Sequence, residues 1–472
     1  KSSPKGADGL ALLVKLQKEN FMNALAKHFS LGGLLRFAAP AVGMMLVISI
    51  YTVTDGIFIG RYAGSLALAA SNIVYPALNL VFGLSIMLSS GGSALVAKTL
   101  GEGDAALARS RFTLLAVVGA ALGILLVGTV FLFMEPILAL LGASPELYAD
   151  CRAYLSANMF FAPFVVLMII FNAFYIADGR PVQGFLVSLT AGLVNVGLDY
   201  VFLAHFGMGL FGAGLATGIS DVVAALLGLV YFSRYSRTLA FARFSFAVRP
   251  LFQALYNGSS EMVTQLSVGI TTYLFNLVTF SYAGADGVAA ISVILYAEML
   301  LTAILMGFAN GVAPVFSYQF GAKGYAELLR LLRLSLGIIF LFGILSFAAA
   351  NIFAVPLMTL FLPDGGRAYA LALGGFGLFS WSFLLCGFNL FSSTFFTALS
   401  DGRMSAILSF VRNLVGIVVF LLLLPHFFGL DGAWLAVPAA DAAAVLLSFR
   451  QLWGAARSFR EEKAAGAVIL ER

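Results

Sequence analysis

The chain of 472 residues contains few charged, thiol or imidazole side chains. Charged residues make up 10% of it, and there are two cysteines and three histidines. Two cysteines build no disulfide framework, and the histidines lack the His-Glu-x-x-His spacing that binds zinc. The sequence also has no Gly-x-x-x-x-Gly-Lys loop for nucleotide phosphates. We therefore expect neither a zinc enzyme nor an ATP-driven protein, and no cofactor.

What the chain has in abundance is apolar sequence. Hydrophobic residues make up 61% of it, and the mean hydropathy is +1.00. Crossing about 30 Å of hydrocarbon takes about 20 apolar residues per helix. The sequence therefore predicts an all-α polytopic membrane protein with twelve transmembrane helices. The predicted spans are 37–59, 66–97, 111–133, 151–177, 184–206, 211–233, 254–281, 287–318, 331–354, 371–398, 405–428 and 432–454.

The basic residues predict the orientation, because Lys and Arg near helix ends stay on the cytoplasmic side. They cluster in alternate loops: Lys98, Arg109 and Arg111; Arg234, Arg237, Arg243 and Arg249; Lys323, Arg330 and Arg333; Arg450, Arg457, Arg460 and Lys463. Both termini should then lie in the cytoplasm, beneath the cell (inner or plasma) membrane. The net charge of +5 follows from this topology and does not indicate a nucleic-acid partner.

The chain also repeats itself at an offset of about 220 residues. Tyr62-Ala63-Gly64 matches Tyr282-Ala283-Gly284, and residues 177–180 (Ala-Asp-Gly-Arg) match 400–403 (Ser-Asp-Gly-Arg). Six helices per half is an even number, so the second half enters the membrane in the same direction as the first. We predict two pseudo-symmetric six-helix bundles with a cavity between them that opens alternately to each side.

The repeat sets the predicted domain boundaries. These are a cytoplasmic N-terminal segment at 1–36, an N-lobe at 37–233, a linker at 234–253, a C-lobe at 254–454 and a cytoplasmic tail at 455–472. Within the first segment, Leu10–Phe29 is either an amphipathic helix on the inner leaflet or a mobile tail.

Two acids, Asp55 and Asp199, lie inside long apolar runs, where an ionised side chain costs about 3 kcal/mol or more. Asn195 precedes Asp199 by four residues, so both lie on one face of a helix. Two neighbouring carboxylates repel each other, so a proton or a small cation is expected to bind there, and one site could serve both. The alternative is a polar contact that only locks the first helix against the fifth. At the repeat offset the C-lobe has Phe275 and Phe420 instead, so the site belongs to the N-lobe alone.

For several further residues the sequence allows two alternative roles. Pro40 is either a point where the first helix bends or a static kink. Asp221 and Asp441 match each other, and we interpret both as structural, with a proton relay as the alternative. Glu298 and Tyr51 are candidates for the cavity wall, and Glu298 either pairs with a cationic substrate or makes a structural hydrogen bond. The stretches 91–94 and 311–314 contain small residues that either loosen both helices near the cavity or, as we favour, allow close helix packing.

These residues resemble the multidrug and toxic compound extrusion (MATE) family, in its DinF-like branch. The resemblance covers roughly residues 30–455 and rests on Pro40, Asp55-Gly56-Ile57-Phe58-Ile59-Gly60, Asn195-x-x-x-Asp199 and Thr217. It implies that Asp55, Asn195, Asp199 and Thr217 bind protons or a monovalent cation. Other branches carry coupling acids in the seventh and tenth helices, but the predicted tenth helix here has none and Glu261 lies near the cytoplasmic end of the seventh.

The expected function is a secondary-active antiporter that is not an enzyme. It would couple inward H⁺ or Na⁺ movement to export of lipophilic, often cationic small molecules by alternating access, with the lipid bilayer as its surroundings and a monomer as its assembly. A flippase for lipids or lipid-linked oligosaccharides is the alternative from the same superfamily. An integral membrane protease or prenyl transferase would need paired catalytic acids at a membrane face, and the sequence offers none.

Overall fold

The computed structural model describes residues 24–362 and 365–470, and these residues are almost entirely helical. Of the predicted amphipathic stretch Leu10–Phe29, all but residues 24–29 lie outside the described part. A short 3₁₀ turn (Ala24–Ala26) precedes the first long helix.

In the first half the α-helices are α1 (Leu31–Phe58), α2 (Ser65–Gly101), α3 (Ala105–Leu132), α4 (Met134–Leu140), α5 (Tyr148–Phe160), α6 (Ala162–Ala177), α7 (Pro181–Asp199) and α8 (Gly209–Val230). Short π-helical segments extend α1, α7 and α8 (Ile59–Ala63, Tyr200–His205 and Tyr231–Tyr235). In the second half they are α9 (Val248–Asn257), α10 (Ser259–Gly321), α11 (Tyr325–Ile352), α12 (Ala354–Phe361), α13 (Arg367–Phe379), α14 (Phe383–Ala398), α15 (Gly402–Phe410), α16 (Ile417–Leu423), α17 (Pro425–Phe428) and α18 (Leu430–Leu470). A 3₁₀ turn (Ser380–Ser382) joins α13 to α14, and a π-helical segment (Val411–Gly416) joins α15 to α16.

The described helices supply the predicted twelve crossings. Ten helices are long and apolar enough to span a membrane, and α5 with α6, bent by 54°, forms an eleventh span. Helix α10 has 63 residues, about twice what one crossing needs, and its backbone leaves helical geometry at Gly284 (φ 63°, ψ −147°). Counting its two halves separately gives twelve. Fold class and helix number are therefore as predicted.

Two predicted boundaries differ from the structure. The span 254–281 was expected to be continuous at its start, but α9 ends at Asn257 and α10 begins at Ser259. The break falls at Gly258, where a Cβ atom would lie 1.9 Å from the carbonyl oxygen of Met87, so a second helix passes in contact with the backbone. At the other end, α18 continues through most of the predicted tail.

The repeat is visible in the backbone. Residues about 220 apart share a positive φ at the ends or breaks of helices: Gly64 and Gly284, Gly103 and Lys323, Gly179 and Ser400. The last pair corrects the predicted match of 177–180 with 400–403, because the structural equivalence is displaced by two residues. The two Asp-Gly-Arg sequences, 178–180 and 401–403, therefore occupy different positions in the turns that contain them.

The two aspartates of this motif accordingly have different partners. Asp401 caps α15 by accepting a hydrogen bond from the Met404 N–H at 3.1 Å. Asp178 instead accepts three hydrogen bonds, two of which attach the linker to the N-lobe. It accepts from the Tyr231 hydroxyl (2.7 Å), the Ser236 hydroxyl (2.8 Å) and the Leu239 N–H (3.0 Å).

The two lobes share a core only at one end of the molecule, which we call the linker side because the linker 234–253 lies there. A cluster on this side joins Leu34 and Ala38 of α1, with Leu25 and Phe29 before it, to residues of α10, α11 and α14. At the opposite end, the far side, one buried cluster contains residues of the N-lobe alone and another contains residues of the C-lobe alone. The lobes are therefore held together at the linker side.

Candidate functional site

The packing of α1 against α7 brings the two predicted acids to one place. Phe185 contacts the position of Gly43, and Gly192 lies against Val47 and Tyr51, so the two helices run parallel with matching register. A Cβ at Gly192 would be 3.1 Å from Val47 and 3.3 Å from Tyr51. One turn after Tyr51 comes Asp55, and two turns after Gly192 comes Asp199.

The resulting group is half-buried at Asp55 and Thr217 and fully buried at Asn195 and Asp199. Asn195 is 1% exposed and Asp199 is 0% exposed. The Asn195 amide donates a long hydrogen bond of 3.4 Å to the Thr217 hydroxyl, which joins α7 to α8. Four buried oxygens of this group have no hydrogen-bond partner in the described part of the chain, namely Asp55 Oδ1, Asn195 Oδ1, Asp199 Oδ1 and Asp199 Oδ2.

These oxygens make the group suited to a proton or a monovalent cation. A buried acceptor without a partner costs about 1–3 kcal/mol, and more when it is charged. Two carboxylates, one amide and one hydroxyl offer the hard oxygen ligands that such a cation prefers. Among residues 24–362 and 365–470, no group of three or more His, Cys, Asp or Glu side chains could hold a metal ion. The oxygen ligands of this group therefore fit a small monovalent cation better than Zn²⁺.

A cavity of about 470 Å³ lies between the lobes next to this group. Asp55 and Thr217 line it, whereas Asn195 and Asp199 are not among its lining residues and lie behind them. Tyr51 also lines the cavity, at the position predicted for it. The predicted site is thus divided into a face open to the cavity and a deeper part between α1, α7 and α8.

The predicted cavity residue Glu298 lies elsewhere. It is not among the residues that line this cavity, and it interacts electrostatically with the buried pair of Arg412 and Asp441 in the C-lobe. Thr302, one turn later in α10, does line the cavity. The direction of the Glu298 side chain, which no sequence pattern specified, places it near Arg412 and Asp441.

Two other carboxylates line the cavity and were not predicted to do so. Asp221, interpreted from the sequence as a structural residue that caps or pairs with backbone, has no hydrogen bond or ion pair in the described structure and is 6% exposed. Glu261 lines the opposite, C-lobe wall. Asp221 could have been found, because it follows Thr217 by four residues and so shares its helix face.

The cavity wall is acidic and otherwise apolar or neutral. Its three charged side chains are Asp55, Asp221 and Glu261, and no Lys, Arg or His is among the described lining residues. The remainder includes the rings of Tyr51, Tyr75, Phe82 and Tyr154 and several methionines. An acidic wall with aromatic rings favours ligands that are positively charged and lipophilic.

Pro40 lies inside α1, which is continuous from Leu31 to Phe58. The helix therefore passes the proline without a break in this conformation. Whether α1 bends there during function stays a prediction.

Comparison with known proteins agrees with this architecture. The family model described as MatE matches residues 40–201 and 261–422, two stretches that start about 220 residues apart, as the repeat requires. The multidrug export protein MepA of Staphylococcus aureus is 25% identical over 419 residues, which are 88% of this chain and 91% of that protein. MepA of Staphylococcus saprophyticus is 26% identical over 415 residues, covering 85% and 88%.

Solved structures share the fold. An outward-facing multidrug resistance MATE family transporter of the MOP superfamily superposes with a TM-score of 0.87 at 23% identity, covering 93% of this chain and 98% of that one. Because the family model matches more than half of the chain, this protein belongs to the MatE family, whose members are membrane transporters rather than enzymes.

Proposed function

We propose that this protein exports lipophilic organic cations in exchange for inward movement of H⁺ or Na⁺. The observation that carries the proposal is the group of buried oxygens without partners at Asp55, Asn195 and Asp199, next to a wide acidic cavity. The similarity to MepA, which is named as a multidrug export protein, supports the same substrate class.

The coupling ion binds in the deeper part of the site. Asp199 and Asn195 lie behind Asp55 and Thr217, so an ion that enters from the cavity reaches Asp55 first. Binding there neutralises carboxylate charge that is buried between α1, α7 and α8 and changes the contacts among these helices. A change in the packing of α1 makes the cavity smaller on its N-lobe side and expels the substrate. Pro40 is the proposed point of bending.

The packing of the lobes supports an outward-open state. Their shared core lies on the linker side, which the basic residues predict to be cytoplasmic, and their far sides have separate cores. A cavity closed on the linker side delivers substrate to the outside. Alternating access then requires the linker-side contacts to open and the far sides to meet.

A flippase for lipid-linked oligosaccharides fits this cavity less well. Such lipids carry phosphate groups, for which basic side chains are the usual binding partners. The described cavity wall offers three carboxylates and no basic residue. Electrostatic complementarity therefore favours cations over anionic lipids.

The test is transport by purified protein in proteoliposomes, with either a pH gradient or a Na⁺ gradient imposed and ethidium as the cationic substrate. We expect one of the two gradients to drive ethidium movement in the wild type. Asp199→Asn should lower the gradient-driven rate at least tenfold, because it removes one of the two charges that the ion neutralises. Full gradient-driven transport by both Asp55→Asn and Asp199→Asn would contradict the coupling assignment.

Thr190→Ala is the matched control. Thr190 lies on the exposed face of the same helix α7, where its hydroxyl bonds only to the Leu186 carbonyl of the preceding turn (2.8 Å). This variant should transport at the wild-type rate, which separates loss of the ion site from general damage to α7.

A further inference from the structure

Asp221 is an unusual side chain for the middle of a membrane helix. It lies in α8, is 6% exposed, lines the cavity, and has no hydrogen bond or ion pair in the described structure. A carboxylate inside the membrane is expensive, so it is retained where it binds something or pairs with a partner. No protein partner is present for it among residues 24–362 and 365–470.

The C-lobe shows what the fold does with a carboxylate at the same position when it is structural. Asp441, which matches Asp221 in the repeat, is 1% exposed and is paired with Arg412 (Nε to Oδ1, 2.5 Å). The Asn389 amide donates a second hydrogen bond to the same oxygen at 3.0 Å. The cation partner has no N-lobe equivalent, because the position matching Arg412 falls at Gly192. Asp221 is therefore left available to a ligand.

The surroundings of Asp221 differ from those of the ion site. A small cation such as Na⁺ needs several oxygen ligands, which Asp55, Asn195, Asp199 and Thr217 provide together. An organic cation spreads its charge over a larger volume, so one carboxylate and aromatic faces can bind it. Asp221 meets this description, since it lies in a wall that also contains Tyr51, Tyr75 and Tyr154.

We propose that Asp221 binds the charged centre of the organic cation in the central cavity, separately from the ion site. This inference rests on the proposed export of cations and assigns the recognition of their charge to one residue. Asp55 then remains available to the coupling ion while the substrate is bound. The proposal also gives the N-lobe both functions, substrate charge recognition at Asp221 and ion binding around Asp55 and Asp199.

The experiment is equilibrium binding of tetraphenylphosphonium, a lipophilic cation, to the purified full-length protein. We expect Asp221→Asn to raise the Kd at least tenfold and Asp221→Glu to stay within threefold of the wild type. Triphenylphosphine oxide, which carries three of the same rings without a net charge, should bind equally to wild type and Asp221→Asn. This neutral probe distinguishes a lost charge contact from a damaged cavity.

Two further variants complete the design. Ser220→Ala changes the neighbouring buried residue, whose hydroxyl bonds only to the Thr217 carbonyl of its own helix (2.7 Å), and should leave binding unchanged. Glu261→Gln tests the carboxylate on the opposite wall. An unchanged Kd for Asp221→Asn, or a loss confined to Glu261→Gln, overturns the proposal.

The outcomes also separate this inference from the proposed function. If the wild type binds tetraphenylphosphonium and exports ethidium but Asp221→Asn behaves like the wild type, only the assignment to Asp221 is wrong. If the wild type neither binds nor exports either cation, the proposed cation export is wrong and the assignment is overturned with it.

Discussion

At the level of single residues, the two lobes use equivalent carboxylates in opposite ways. Asp441 accepts hydrogen bonds from Arg412 and Asn389, whereas Asp221 faces a cavity without a partner. Removing one partner of a buried charge pair destabilises the fold, whereas a buried charge without a partner is available for binding. The sequence shows the two aspartates at matching positions, but it does not show that Arg412 reaches only one of them.

Removing Arg412 should destabilise the protein. Asp441 is 1% exposed, so Arg412→Met would leave a buried carboxylate with too few partners, at a cost of about 3–5 kcal/mol. We expect a lower melting temperature for the purified protein in detergent. The double variant Arg412→Met with Asp441→Leu should recover most of the loss, because it removes the unpaired charge as well. A single variant as stable as the wild type would show that the pair is not structural.

At the level of helices, glycines allow the lobes to meet at the linker side. A Cβ at Gly101 would lie 2.0 Å from the Tyr318 carbonyl oxygen, and one at Gly321 would lie 2.0 Å from the Lys98 carbonyl oxygen. These two glycines match each other in the repeat. The ends of α2 and α10 thus cross in backbone contact, and no larger residue fits there without moving a helix.

Gly101→Ala should therefore weaken the linker-side closure. The added methyl group clashes with backbone, so α2 and α10 must separate, and the outward-open state loses stability relative to the inward-open one. Slower ethidium transport in proteoliposomes, with expression unchanged, is the expected result. Gly337→Ala is the matched control, since Gly337 lies in a helix with no atom within 4 Å of the added Cβ. Equal rates for the two variants would contradict the role of this crossing.

The helix packing agrees with one interpretation made from the sequence and differs from another. Small residues at 91–94 and 311–313 were expected to serve close packing, and Gly91 and Gly311 do contact other helices: a Cβ at Gly91 would lie 2.0 Å from the Ala254 carbonyl oxygen. Glu298 was expected near the cavity and lies toward Arg412 instead. Close packing follows from residue size, but the direction of one side chain depends on how its helix is rotated.

At the level of the whole molecule, the chain forms two lobes joined at one end. The first turns of α1 pack into the C-lobe core through Leu34 and Ala38, although the rest of α1 belongs to the N-lobe. A helix that contacts both lobes moves when the lobes move. In the proposed mechanism, this contact links the ion site on α1 to the closure of the linker side.

Labelling of single cysteines on intact cells tests both the orientation and the direction in which the cavity opens. In a background without Cys151 and Cys386, Asn79→Cys in the cavity wall should react with a membrane-impermeant maleimide added outside. Arg243→Cys, exposed in the linker, should react only after the cells are permeabilised. The reverse pattern would show that the linker lies outside and that the orientation is wrong.

The sequence by itself determined the membrane setting, the number of helices and the repeat, because apolar length, charge spacing and helix periodicity are local properties of a chain. It also predicted Asp55, Asn195 and Asp199 as a site, and the family resemblance added Thr217. Only the tertiary structure decided which acids face the cavity, which one is neutralised by Arg412, and at which end the lobes meet. These outcomes depend on the rotation and crossing of helices far apart in the chain, and such contacts are set by the packing of whole surfaces against one another.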